Sequence, residues 1–164
     1  MTSKGKLTFD VLIEIPKGSR NKYEYDFDLK KIRFDRMLFS SMMYPADYGF
    51  VPETLALDGD PLDVLVLGDP VSRGSVVPCK LIGVLHLQDR GELDDKLIAV
   101  AKNTSFSAIE SIEDLNENYP GVTTIIETWF TNYKGKGLMK SSGYGDAAAA
   151  TKVLDEAILG FENQ

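Results

Sequence analysis

The strongest constraint on the fold is a change of hydrophobic period partway along the chain. Between residues 7 and 101 apolar residues come in short runs, several alternating with polar ones, whereas beyond Ser111 they recur every three or four residues. Residues 7–15, LTFDVLIEI, begin with alternation and end apolar with Glu14 set inside, which predicts a strand carrying one acid out of place. Residues 23–27 and 32–36 alternate on either side of the polar stretch 28–31, the pattern of a hairpin. Further strands are predicted at 62–67, 75–87 and 96–101, each bounded by Gly, Pro or Asp turns.

Ser111-Ile-Glu-Asp114 has the form of a helix start, and Asn118 with Pro120 closes that helix after a few residues. Val122, Ile125, Ile126, Trp129, Phe130 and Tyr133 then lie on one face of a second helix beginning after Pro120. Its β-branched residues favour a strand and its period favours a helix; the period decides. Asp146 is placed to cap a last helix over 147–161, with Ala150, Val153, Leu154, Ala157, Ile158 and Phe161 as its buried stripe. The predicted fold class is α+β: a small antiparallel β-barrel, like an oligonucleotide-binding fold, with C-terminal helices packed on it.

A chain of 164 residues suits one domain, here 1–164, with a core of its own. The 18 basic residues against 25 acidic ones give a net charge of −7, which opposes binding to nucleic acid or an anionic membrane. An anionic substrate must therefore be met by a few basic groups or by metal ions. One cysteine, Cys79, and one histidine, His86, provide neither an internal disulfide nor a structural zinc site. On one continuous strand their separation of seven would put them on opposite faces, which disfavours a Cys–His catalytic pair. The start of the chain shows no apolar signal core and no run is long enough to span a bilayer, so a reduced, cytoplasmic protein is expected.

Asp58-Gly-Asp-Pro-Leu-Asp63 sets three carboxylates across a Gly/Pro turn that runs into an apolar strand. Asp-Gly and Asp-Pro are ordinary turn dipeptides, but Asp63 begins the strand itself, where a half-buried carboxylate needs a cation or strong hydrogen bonds. Three acids this close repel one another unless a hard divalent cation neutralises them. An EF-hand is excluded, since its glycine position would fall on Asp63. A second acid cluster, Asp89-Arg-Gly-Glu-Leu-Asp-Asp-Lys96, lies between two predicted strands. Lys22, Glu24, Arg36, Tyr44, Tyr48, Tyr133 and Lys134 add basic and phenolic groups among apolar neighbours, the mixture that holds a small polyanion. Gly135-Lys-Gly137 lacks the spacing of a P-loop.

The runs IEIP (13–16), KYE (22–24), DR (35–36), MMYPADYGF (42–50), DGDPLDVLV (58–66), Asp94-x-Lys96 followed by LIAV, and YK (133–134) together resemble the soluble family I inorganic pyrophosphatases, in their usual order. The likeness spans roughly residues 7 to 155. It implies that Asp58, Asp63 and Asp94 hold magnesium, with Asp63 bridging toward a second ion, and that Asp60 accepts a proton from the attacking water. It further implies that Asp89 and Glu14 hold metal arriving with substrate. Lys22, Arg36, Tyr133 and Lys134 match phosphate-binding positions, Tyr48 one that bonds phosphate or nucleophile, and Glu24, Tyr44 and Lys96 would orient these groups. Many members carry an acid directly after Asp89, where this chain has Arg90. The pair Asp94-Asp95 leaves a choice of register, because neighbouring strand residues face opposite ways, and distance from Lys96 favours Asp94.

The implied reaction is hydrolysis of pyrophosphate to phosphate with several Mg2+ ions and no covalent intermediate. The rivals are an oligonucleotide-binding module and a non-catalytic divalent-ion binder; acidity opposes the first and the basic groups the second. A homo-oligomer, a hexamer by resemblance to short bacterial members, is expected.

Overall fold

The computed structural model describes residues 8–39 and 42–164. Leu7, the first residue of the expected first strand, and the segment 1–6 read as lacking a signal core lie outside them. The strands are β1 (Thr8–Ile15), β2 (Asn21–Asp26), β3 (Lys31–Met37), β4 (Asp47–Phe50), β5 (Asp63–Leu67), β6 (Val76–Asp89), β7 (Glu92–Leu93), β8 (Lys96–Ala101) and β9 (Met139–Gly145). The helices are α1 (Ile112–Asn118), α2 (Val122–Asn132) and α3 (Ala147–Glu162).

Strands β1, β4, β5, β8 and β6 pair in that order, and β6 pairs back onto β1, so the sheet closes on itself and leaves no edge in the ring. A ring of five cannot alternate direction all the way round. One pair must run parallel, and it is β5 with β8, from Val64 opposite Leu97 to Leu67 opposite Val100. The expected barrel is therefore present, with this one departure from wholly antiparallel pairing. The hairpin of β2 and β3 forms its own two-stranded sheet.

The runs in β5, β6 and β8 are apolar almost throughout because both faces are covered. Leu65, Leu67, Ile98 and Val100 share a core with Leu115 of α1 and Ile126, Trp129 and Phe130 of α2. Val64, Val66, Leu97 and Ala99 share another with Ala150, Leu154 and Ala157 of α3. In α1 the Ser111 side chain accepts from the Asp114 N–H, and in α3 Asp146 accepts from that of Ala149, as their sequences foretell. The stripes are narrower than expected. Ile125 is 60% exposed and Phe161 37% exposed. Ile125 lies at the margin of its helix face, and Phe161 lies in the last turn of α3.

Two irregularities reset the side-chain parity on which face assignments depend. The register of β1 shifts between Ile13 and Ile15, so these two residues enter different cores and Glu14 occupies the bulge. That is why an acid stands inside an apolar run. In β6 the register shifts between Leu81 and Gly83, so Val84 shares a core with Cys79 despite their odd separation. The opposite-face argument for Cys79 and His86 therefore fails, although the pair still does not form: Cys79 is fully buried, and the His86 ring bonds Asp95. Strand β9, MKSSGYG, carries no apolar alternation and was not expected; its pairing with the long β6 holds it. Among the described residues no helix is long and apolar enough to cross a membrane.

Candidate active site

The parallel pairing sets the geometry of the site. Because β5 and β8 run the same way, Asp63 and Lys96, their first residues, emerge side by side at one end of the barrel. Lys96 Nζ donates to Asp63 Oδ2 at 2.5 Å and to Asp94 Oδ1 at 2.8 Å, with a side chain only 3% exposed. Burial by itself would strip its proton, but the two carboxylates outweigh that and hold Lys96 above the ordinary lysine range. The turn before β5 is tied locally: Asp58 Oδ1 accepts from the Asp60 N–H at 3.0 Å, and Gly59 takes φ +88°.

These groups open onto a cavity of about 350 Å³. Asp58, Asp60, Asp63, Asp89, Asp94, Glu14 and Glu24 line it together with Lys22, Lys96, Lys134, Tyr48 and Tyr133. Seven carboxylates face three lysines, so the protein groups alone repel anions from the cavity and draw cations. Burial, with Asp63 and Glu24 adding to it, pushes the Glu14 carboxyl up to about 7, even though Glu14 Oε2 accepts from the Tyr25 N–H at 2.8 Å. Burial and then its acidic neighbours also raise Asp58. Burial raises the phenols: Tyr133 to about 12, against the pull of Lys96, and Tyr48 well above the ordinary range, with Asp63 adding to it. Both remain hydrogen-bond donors at neutral pH.

One wall is basic. Lys22 Nζ donates to Glu24 Oε1 at 2.5 Å and to Asp35 Oδ2 at 3.0 Å, while Arg36 donates to the same Asp35 oxygen at 2.8 Å. Lys134 Nζ donates to Asp89 Oδ2 at 2.7 Å, which holds Asp89 below the usual carboxylate range.

Of the residues singled out in the sequence, two do not line this cavity. Arg36 lines an adjoining one, and Tyr44 is buried behind Tyr48, with its ring 5.7 Å from that of Tyr48 and 4.4 Å from Trp129. Asp94 faces the cavity. Asp95 turns away, taking His86 Nδ1 at 3.2 Å and the Leu87 N–H at 3.3 Å. Sequence reasoning passed over Tyr25, Phe27 and Phe50, which form an apolar wall, and Trp129, which stacks on Tyr133 with centroids 4.5 Å apart. The alternation Tyr23, Tyr25, Phe27 and the four-residue step from Trp129 to Tyr133 were the available signals. Asp35, shared by Lys22 and Arg36, was visible only as half of the DR pair.

The donors suit a hard divalent cation. Every acid of the expected metal set faces one cavity, all through oxygen, and Asp89 Oδ1 is buried without a hydrogen-bond partner. Among the described residues no three of them converge as a closed ligand cage, since Lys96 bridges Asp63 and Asp94. Magnesium does not require such a cage, because it keeps several waters and takes one or two carboxylates directly.

The description of a protein family, inorganic pyrophosphatase, matches residues 11–162. An inorganic pyrophosphatase of Halalkalibacterium halodurans is 43% identical over 157 residues, covering 93% of this chain and 94% of that one. One from Methanosarcina mazei is 46% identical over 151 residues, covering 90% and 88%. The crystal structure of the inorganic pyrophosphatase of Thermus thermophilus superposes with a TM-score of 0.89 at 40% identity, covering 97% of this chain and 94% of that one.

Proposed function

The chain belongs to the inorganic pyrophosphatase family and hydrolyses pyrophosphate to phosphate, and from that premise we propose how its residues divide the work. Asp58, Asp63 and Asp94 hold the resident Mg2+ ions, and Asp89 and Glu14 hold those that accompany substrate. Magnesium, when bound, offsets the carboxylate charge and polarises water toward deprotonation near neutral pH. Asp60, on the same turn as Asp58, accepts the proton of the attacking water. Lys22, Arg36, Tyr133 and Lys134 grip the phosphoryl oxygens, and Tyr48 donates to phosphate or to the nucleophile. Lys96 fixes Asp63 and Asp94, Glu24 fixes Lys22, and Tyr44 packs behind Tyr48. Pyrophosphate is small and symmetrical, so recognition reduces to charge and position, and this is most of what phosphoryl transfer asks of a protein.

One observation carries the assignment: seven carboxylates and a wall of lysines and phenols meet on a single cavity, so cations must enter before an anion can. Residues 1–164 act as one catalytic domain, in keeping with a family match from 11 to 162. We place the protein in the cytoplasm as a homo-oligomer, a hexamer by resemblance to short bacterial members; the exposed Phe34, Met37 and Phe39 favour self-association, and a light-scattering mass would check the number of subunits.

Phosphate release should require magnesium, and Asp60→Asn should lower turnover by on the order of 10²–10⁴ with the fold intact, the usual range for a lost general base. Near-normal release by that variant would remove Asp60 from the mechanism.

A further inference from the structure

A separate cavity of about 130 Å³ lies between residues 55–63, the connection from β7 to β8, and α3. Its lining includes the apolar side chains of Leu62, Val153 and Ala157, together with Leu57 and Leu93, which are 84% and 53% exposed. Two exposed leucines on one cavity make a patch, and such patches mark binding grooves. Each of them directly precedes an acid assigned above to metal, Leu57 before Asp58 and Leu93 before Asp94. The Leu55 N–H donates to the Ala157 carbonyl at 2.9 Å and the Ala56 N–H to the Asp60 carbonyl at 2.8 Å, so the 55–60 turn is fastened to α3 and the cavity is preformed.

The same cavity is acidic. Asp58, Asp63, Asp94, Asp95 and Glu156 line it, and no basic residue does among the described ones. Lys96 serves Asp63 and Asp94, and Asp95 takes His86 and the Leu87 N–H. Glu156, exposed on α3, makes no hydrogen bond or ion pair among the described residues, so its charge is free for a ligand.

The geometry points to a site for a small organic ammonium ion, its apolar body no larger than one six-membered ring, whose binding opposes that of the metal ions. An apolar cavity of about 150 Å³ takes up benzene, so the space suits a single ring, and Glu156 supplies the partner for the charged end. Asp58, Asp63 and Asp94 also line the catalytic cavity. A positive charge on one side of them therefore raises the cost of adding one on the other, and the penalty is reciprocal. That coupling rests on the functional reading above, whereas the binding itself does not.

The probe is benzylamine, positively charged at neutral pH, titrated into the wild-type chain in excess chelator while the leucine methyl resonances are followed by NMR. Leu57 and Leu93 should shift saturably. Glu156→Gln, on the exposed face of α3, should weaken binding about three- to fivefold, the worth of a partly exposed ion pair, and benzyl alcohol should bind the wild type more weakly by a similar factor. Phe27→Ala alters the apolar wall of the catalytic cavity and should leave the affinity near wild type. No saturable shift, or weakening by Phe27→Ala but not by Glu156→Gln, would overturn the site, the latter by placing the amine in the catalytic cavity. Replacing chelator with saturating magnesium should weaken benzylamine about fivefold or more, and an unchanged affinity would overturn the coupling. Because no turnover is measured, these outcomes are separate from that of Asp60→Asn.

Discussion

Asp94 and Asp95 are neighbours in sequence with opposite duties. Asp94 shares Lys96 with Asp63, while Asp95 spends both oxygens on His86 and the Leu87 N–H. Asp94→Asn should therefore cost on the order of a hundredfold in turnover if Asp94 holds metal as proposed, since even supporting groups are worth 10- to 100-fold. Asp95→Asn should stay within a few-fold of wild type and lose under about 1 kcal/mol of stability, because the amide still accepts. Phosphate-release assays on the two variants decide it; the reverse order would move the metal site to Asp95. Glu14 makes a prediction about pH. Its carboxyl titrates near 7 in the folded protein, raised from about 4.5, so its stability contribution is present below pH 4.5 and fades as pH rises through 7. In metal-free protein Glu14→Gln should be near neutral at pH 4 and stabilising by about 2–3 kcal/mol at pH 8. Urea melts at the two pH values would show no such difference if Glu14 were hydrated.

At the scale of elements, the barrel closes through contacts with little tolerance. Gly49 of β4 lies opposite Ile13, and a methyl group added to it would sit 1.9 Å from the Leu12 carbonyl oxygen. Backbone cannot yield there as a flexible side chain would. Gly49→Ala should thus destabilise by at least about 3 kcal/mol, at the upper end of overpacking costs, whereas Asp146→Ala, which removes the cap of α3, should cost only about 1 kcal/mol. Thermal melts that ranked them the other way would contradict this account of β4. The same close pairing carries the bulge that turns Glu14 toward the cavity, so loss of β4 should reach the site.

The whole molecule carries a net charge of −7 and concentrates seven carboxylates on one cavity, so divalent cations should raise both stability and activity. Magnesium should raise the melting temperature by mass action on the folded state, and a chelator should reverse this and abolish turnover. Calcium should also stabilise the fold, because it accepts carboxylate oxygens at longer distances and in irregular geometry. It should nevertheless inhibit, since misplacing the attacking water by about 1 Å can cost on the order of a hundredfold. Titrating calcium into a magnesium-supported assay tests this; equal rates with calcium as the only divalent ion would overturn the division of work proposed for Asp58, Asp60 and Asp63.

Local pattern alone determined four of the five ring strands, β1, β5, β6 and β8 but not β4, together with the start of each helix and the acids of the 58–63 turn. Periodicity and caps act over a few residues, and a chain displays them without its partners. Family likeness then assembled distant runs such as DGDPLDVLV and Tyr133-Lys134 into one site before any contact was known. Only the tertiary structure decided that β5 and β8 run parallel, that β4 and β9 exist at all and that Tyr44 sits behind the cavity, while the choice of Asp94 over Asp95 was favoured by distance from Lys96 and then met by the side chains' orientation. Each depends on an inter-strand register, and a single bulge inverts every face beyond it. Strand parity can be read from sequence only until the first such shift, and this chain places one at Glu14, on the wall of its own site.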